Sequence, residues 1–471
     1  MRSTQSGIRR RGAVATAMFA IAAVVTGCAA GGGGSGGGQE QADIGASAEE
    51  FLAEAGQGLT QDSISVLVQS APQAESIEAI SQQFTELTGV DVEWTVLDEE
   101  SATNKASVAL GSADGGYDVI QTPSNLISTY ASRGWVQSID DLSSNADLAV
   151  PGWDRAAFGD GLNNLLTVGG DQFGVPMFIG TQIYYYRTDV FEEAGITEPP
   201  TTFEELVDIA KAVHSDDVAG IALRSAPDIS QLLFVWSSWL YGYGGQYYDS
   251  VTDGVYADPV FDSPEAVAAL TDYADLLQNY APSGATNWNV SDVVRAFASG
   301  RVAIIQEGAV FGGTFNDPTT SQVAGNVGTF VIPGGPAGTY IPYVTHGWTV
   351  ASNSQASDAA WLFVQWATLQ ETLVAATQQD NNFTTPPIAA VYESSEYEER
   401  YGFDNYVDSV VDTLATADAG GVSPLDGDPN FQPSDESWNT IGLQIAQELS
   451  KAVTGQVSPS DAVAAAAGAL E

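Results

Sequence analysis

The chain has 471 residues, 44% hydrophobic and 10% aromatic, which supplies two domains with apolar cores and excludes a disordered polymer. Sixty Asp and Glu against 14 Lys and Arg give a formal charge of −46, which repels polyanions and excludes nucleic acid as a partner. The single cysteine, Cys28, excludes an internal disulfide and a thiolate metal cluster.

The N-terminus reads as an export signal over residues 1–27. Arg2, Arg9, Arg10 and Arg11 precede an apolar run from Ala13 to Val25, too short for a permanent membrane helix. The run ends in Val25-Thr26-Gly27-Cys28, which resembles the bacterial lipobox and implies cleavage before Cys28 and lipidation of its thiol. Each buried acyl methylene contributes about 0.8 kcal/mol, so the chains hold the protein on the outer face of a membrane. The mature chain keeps 10 basic residues against all 60 acids, a surplus that favours a monomer by self-repulsion. Residues 28–62 read as a flexible tether because they contain the glycine run Gly31–Gly38. Within that stretch, 46–56 has the composition of a short helix.

The folded body begins at Ser63–Gln69, a β-branched run fit for a buried strand. A helix over 75–88, a strand over 91–97, a helix over 101–110, a strand over 117–121 and a helix over 125–132 follow. This alternation predicts an α/β lobe on a parallel sheet. Two short strands, 173–178 and 182–187, are expected to leave that lobe and enter a second one. Thr202 and Glu205 form a capping box for a helix with apolar residues at Phe203, Leu206, Ile209, Ala210 and Val213. Strand 220–223, helices 229–241, 264–278 and 293–298, and strands 300–307, 327–332 and 347–351 build the second lobe. A helix over 358–369 follows, with C-terminal helices over 405–415, 437–454 and 459–470. The expected division is lobe 1 over 63–178 and 381–471 and lobe 2 over 179–380, with crossings near 178–184 and 340–385.

Four stretches taken in order carry a family resemblance. They are Tyr117-Asp-Val-Ile120 with Gly134-Trp135 to Leu142; Phe173-Gly-Val-Pro176 through Tyr185-Tyr-Arg-Thr-Asp189 to Leu206; Phe297-Ala-Ser-Gly-Arg301; and His346-Gly-Trp348 with Trp361-Leu-Phe363. Together they resemble the extracellular solute-binding proteins of carbohydrate ABC importers, the maltodextrin- and polyol-binding group. The resemblance implies a type II periplasmic-binding-protein-like fold, α/β, with two lobes joined by a multi-segment hinge that close over ligand. It implies a carbohydrate or polyol ligand, ABC permease subunits as partners, and no cofactor. Where the group often places an aromatic after the strand glycine, this chain has Ala309-Val310 after Gly308, which leaves the ligand's size open.

A polyhydroxylated ligand needs flat rings to stack on and polar groups for its hydroxyls. Ligands gather at the carboxyl ends of strands in open parallel sheets. That rule singles out Gln69 and Ser70, Asp98 and Glu99, Thr122 and Asn125, Arg224, and Glu307. Thr181 and Tyr184 on the strand entering lobe 2 are further candidates. Trp236 is weighed against Trp239 on an apolar helix. Trp348 has a core ring as its alternative, His346 a role in capping the hinge strand. The resemblance adds Asn382. Asp426 to Asn430 carries alternate oxygens but lacks the glycine and glutamate of a calcium loop, so no metal is expected. An exported carbohydrate-active enzyme would need two opposed carboxylates, and no local motif pairs them. A peptide-binding version of the same fold stays open.

Overall fold

The computed structural model describes residues 42–470 apart from 114, 253, 427, 435 and 436. The export signal, Cys28 and the glycine run lie outside the described residues. Residues 42–62 depart from the tether expected of them, because they pack on the body. The Ala46–Gly58 helix buries Ala48 and Leu52, and the Gln83 side-chain amide bonds both the N–H and the C=O of Ala42 at 3.2 and 2.6 Å.

Strands β1 (Ser63–Gln69), β2 (Asp91–Leu97) and β3 (Val119–Pro123) pair in parallel, with β1 in the middle. Ile64, Val66, Leu67 and Val68 are all buried, as a strand covered on both faces requires. The expected single helix over 75–88 is two, Pro72–Ile80 and Gln82–Thr88. It breaks at Ser81, whose hydroxyl donates to the Glu78 carbonyl and accepts from the Trp94 indole. A small hairpin, β4 (Thr167–Val168) with β5 (Asp171–Gln172), precedes β6 (Val175–Pro176).

The second sheet is built on β7 (Gly180–Arg187). After β8 (Ala219–Ala222) and a separate antiparallel hairpin of β9 (Tyr248–Thr252) and β10 (Val255–Pro259), it gains β11 (Val302–Gly308) and β12 (Val327–Phe330). The order is β12-β7-β11-β8. The Thr202–Glu205 capping box is present and starts the Phe203–Val213 helix. Behind that helix Gly220 permits a close approach, since a Cβ there would lie 2.0 Å from the Ala210 carbonyl oxygen.

The chain returns to the first sheet within one residue. Strand β13 (Tyr343–Val344) pairs with β7, Thr345 crosses, and β14 (His346–Val350) pairs with β3 and β6. The expected return near 380 is therefore corrected: Ser357–Ala367 packs on β14 and Gln370–Thr377 on the Pro72–Ile80 helix, both in the first lobe. Three segments cross side by side. The Thr345 hydroxyl donates to the Phe178 carbonyl at 2.7 Å, and the Ile179 N–H donates to the Thr385 carbonyl at 3.0 Å. Gly180 leaves no room between them, because its Cβ would meet a Val344 methyl at 2.5 Å.

The C-terminal helices also differ from expectation. Trp438–Val453 and Pro459–Ala467 pack on the Pro264–Asn279 helix of the second lobe, and Gln278 ties them down through the Ala452 carbonyl at 2.8 Å. Tyr406–Asp418 bridges the lobes: it packs on β12, with Ser409 and Thr329 sharing a hydroxyl hydrogen bond of 2.9 Å, and on the Gly159–Leu165 helix of the first lobe, where Asp418 accepts the Gly161 N–H at 2.8 Å. The return to the first lobe expected of all three helices is therefore corrected for the last two, whose apolar faces match the second.

Candidate functional site

A cleft of about 630 Å³ opens between the two sheets, at the carboxyl ends of their parallel strands. The first lobe contributes Glu99 at the start of the Glu99–Leu110 helix, Ser124 and Asn125 just past β3, and His346 at the head of β14. The second lobe contributes Ile229, Ser230 and Phe234. The crossing residues Tyr343, Val344 and Thr345 form the floor, and the segment Asn430–Pro433 with Trp438 and Asn439 closes one end.

On the second-lobe side the backbone is unusual. Ile229–Leu233 is a π-helical turn capped by Asp228, whose carboxylate accepts from both the Ser230 N–H at 2.8 Å and the Ser230 hydroxyl at 2.7 Å. Behind it Arg224 donates to the Ser230 carbonyl at 3.0 Å and forks onto Glu307, with Nε to Oε1 at 3.0 Å and Nη2 to Oε2 at 2.6 Å. The Glu307 side chain is fully buried and that of Arg224 is 12% exposed. The guanidinium is thus already neutralised, and Glu99 is the one charged residue among the described residues lining the cleft.

Uncharged polar side chains line this wall, among them Asn125, Ser230, Gln432 and Asn439. The Tyr343 hydroxyl and the Trp438 indole N–H are enclosed and unbonded among the described residues. Phe431 meets Phe234 edge-on at 5.8 Å, and Phe234 is only half-buried, which leaves a ring face toward the cleft. Uncharged polar groups beside a half-exposed ring are the complement of a ligand with hydroxyls and C–H faces.

Of the candidates read from the sequence, the structure brings Glu99, Asn125 and His346 to the cleft, with Arg224 and Glu307 directly behind its wall. The rest lie elsewhere. Trp348, expected as a stacking surface, is a core ring at 2% exposure, edge-on to Trp94 at 6.3 Å and Phe363 at 5.9 Å; covered on both sides, it has no free face. Trp236 is buried against Phe261, and Tyr184 stacks on Phe330 at 5.0 Å while its hydroxyl donates to Gln306 at 2.8 Å. Thr122 is buried with its hydroxyl on Thr349, and Thr181 is buried opposite Tyr343 on β13. The Gln69 N–H donates to the Gln121 amide, and the Ser70 hydroxyl donates to Glu75 at 2.6 Å, so neither lines the cleft. Asn382 is exposed, in the left-handed region at φ 57°, and does not line it either. No cluster of metal-ligating side chains occurs among the described residues.

The sequence reading missed Ile229, Ser230, Phe234, Tyr343, Asn430–Pro433 and Trp438. Phe234 stood in the apolar helix where only tryptophans were weighed. The stretch Asn430–Pro433 has no periodicity, and its place depends on the C-terminal helix that follows.

A family model described as bacterial extracellular solute-binding protein matches residues 69–372. An erythritol/L-threitol-binding protein of Mycolicibacterium smegmatis is 26% identical over 333 residues, covering 67% of this chain and 68% of that one. A mannitol-binding protein of Pseudomonas aeruginosa is 24% identical over 406 residues, covering 83% and 88%. The fold matches an ABC transporter solute-binding protein from Agrobacterium vitis solved with bound D-mannitol, with a TM-score of 0.69 and 22% identity over 87% of this chain and 97% of that one.

Proposed function

Since the chain belongs to the bacterial extracellular solute-binding protein family, we propose that it captures a neutral polyol or small carbohydrate between its lobes and delivers it to the permease of an ABC import system. The chemistry of the cleft carries this reading. Uncharged polar side chains and a half-exposed phenyl ring suit a hydroxylated ligand, while among the described residues the one lining charge is acidic and the nearby guanidinium is spent on Glu307. An anionic solute would enter such a site uncompensated. The names of two relatives, an erythritol/L-threitol-binding and a mannitol-binding protein, point to the same class.

Closure supplies the mechanism. Ligand contacts from both lobes exist together only when the lobes approach, so ligand binding favours the closed form by its differential affinity, and the paired crossings at 177–179, 345 and 384–385 provide the hinge. The permease would meet exposed surfaces of both lobes in that form. The protein acts as a monomer.

Thermal denaturation of the full chain with erythritol, D-mannitol, ribitol, maltose, a tripeptide and mannitol 1-phosphate tests the reading. A polyol or sugar present at about 100 times its dissociation constant stabilises by about 2.7 kcal/mol and raises the melting point by a few degrees. A shift with the tripeptide or the phosphate ester and none with any neutral polyol or sugar would overturn the ligand class.

The protein works outside the cell membrane, as its family does. Its anchor is Cys28, supported by the basic and apolar leader before it and the small residue Gly27. Cys28→Ser is expected to move the protein from the membrane fraction to the soluble one; a variant still pelleting with membranes would remove the lipid anchor from this account.

A further inference from the structure

Beneath the floor of the cleft a short relay ends on a histidine that lines it. The Gln69 backbone N–H, at the end of β1, donates to the Gln121 side-chain carbonyl Oε1 at 3.1 Å. A backbone N–H is a donor only, so the Gln121 amide has one orientation, with Nε2 turned the other way. That Nε2 lies 2.8 Å from Nδ1 of His346. An amide NH₂ has no lone pair to offer, so it donates and Nδ1 accepts. In a neutral imidazole the proton then resides on Nε2. Burial holds the His346 pKa down to about 4, which keeps the ring neutral across the physiological range. Nε2 bonds no described residue and is not among the enclosed polar atoms, and His346 lines the cleft.

The ring is rigidly placed. Gln121 is 7% exposed, the Phe178 ring meets the imidazole edge-on at 5.1 Å, and the His346 carbonyl accepts from the Met177 N–H at 2.9 Å. His346 also follows the crossing residue Thr345 directly, so it sits where the two lobes meet.

We infer that Gln69 and Gln121 hold His346 in its Nε2-protonated form and that this N–H donates a hydrogen bond to an acceptor oxygen of the bound ligand, making His346 a specificity-determining donor and Gln121 its positioning residue. The inference rests on the cleft being the ligand site. The ligand must present a lone-pair oxygen at this point, and an analogue with a deoxy carbon there leaves the N–H unpaired in a closed site. A site built around a hydrogen-bond donor rejects ligands lacking the acceptor more strongly than an apolar pocket rejects an extra methylene.

The chain has only two histidines, His214 and His346, so ¹⁵N-histidine labelling of the full chain yields two rings, assigned by His346→Gln. Two-bond ¹⁵N–¹H correlation near neutral pH reads the tautomer without any ligand. The expected result is a pyrrole-type Nε2 and an imine-type Nδ1 for His346. Gln121→Glu keeps the shape and the acceptor for Gln69 but presents a carboxylate to Nδ1, and is expected to move the proton to Nδ1. Calorimetry then follows whichever of erythritol, D-mannitol, ribitol and maltose binds the wild type. Gln121→Glu is expected to weaken it about tenfold or more, as is His346→Phe, whereas His346→Gln restores an N–H near the Nε2 position and stays within about threefold. An Nδ1-protonated ring in the wild type overturns the relay. Undiminished affinity in His346→Phe, or in a Gln121→Glu chain whose tautomer has flipped, overturns the donor role while leaving the cleft as the site. No binding of any of the four to the wild type overturns the cleft reading and the donor role with it, a failure visible before any variant is made.

Discussion

Glu307→Ala is expected to lower the unfolding free energy by about 3–5 kcal/mol, the loss typical of removing one partner of a buried ion pair. The carboxylate is fully buried, accepts both arms of the Arg224 fork and also accepts the Gly308 N–H at 3.1 Å. Without it a guanidinium that is 12% exposed retains one acceptor among the described residues, the Ser230 carbonyl. The cost is the uncompensated charge and not the strength of the pair, so the double variant Arg224→Met, Glu307→Leu is expected to recover most of the loss. Urea unfolding monitored by tryptophan fluorescence measures both, with an unchanged slope required for the comparison. A loss under about 1 kcal/mol in Glu307→Ala would mean that Arg224 swings into the cleft and is hydrated there. Affinity should fall as well in Glu307→Ala, because Arg224 anchors the carbonyl of Ser230 within the turn that forms the second-lobe wall.

Trp438→Ala should cost a similar amount, about 3–5 kcal/mol, for a different reason. The ring is 5% exposed, stands edge-on to Tyr247 at 4.9 Å and packs so close to Gly442 that a Cβ there would lie 3.0 Å from it. Its loss opens a cavity at the first turn of the Trp438–Val453 helix, the element that closes one end of the cleft. The ring also lines the cleft, so ligand affinity should drop about tenfold besides. Trp438→Phe keeps most of the packing and a ring at the cleft, so stability and affinity should both fall less than in Trp438→Ala. Equal affinity in wild type and Trp438→Ala would confine this ring to a packing role.

The α/β alternation, the capping box at Thr202 and the helix and strand positions were legible because they depend on local periodicity and local hydrogen bonds. Glu99, Asn125 and His346 were legible for a similar reason: the carboxyl end of a strand in a parallel sheet, or the start of a crossing strand, is a position that pattern alone locates. Trp348 shows the limit of that reasoning. On β14 it alternates with His346 at a spacing of two, which places both on one side of the strand, yet Trp94 and Phe363 cover the tryptophan while the histidine stands at the open end. Distance along the strand from the crossing, and not residue type, separates core from site.

By itself the sequence determined the lone cysteine, the acidic composition, the two-sheet α/β class and the family, all of which follow from composition, periodicity and ordered short motifs. Tertiary structure alone decided that the last two helices join the second lobe, that the chain returns to the first within the single residue Thr345, and that Ile229, Phe234, Phe431 and Trp438 share a cleft with His346. The reason is physical: an amphipathic helix carries the period of its buried face in its own residues, but the surface that covers that face, and hence which distant side chains meet in a cleft, is set by packing between segments far apart in the chain.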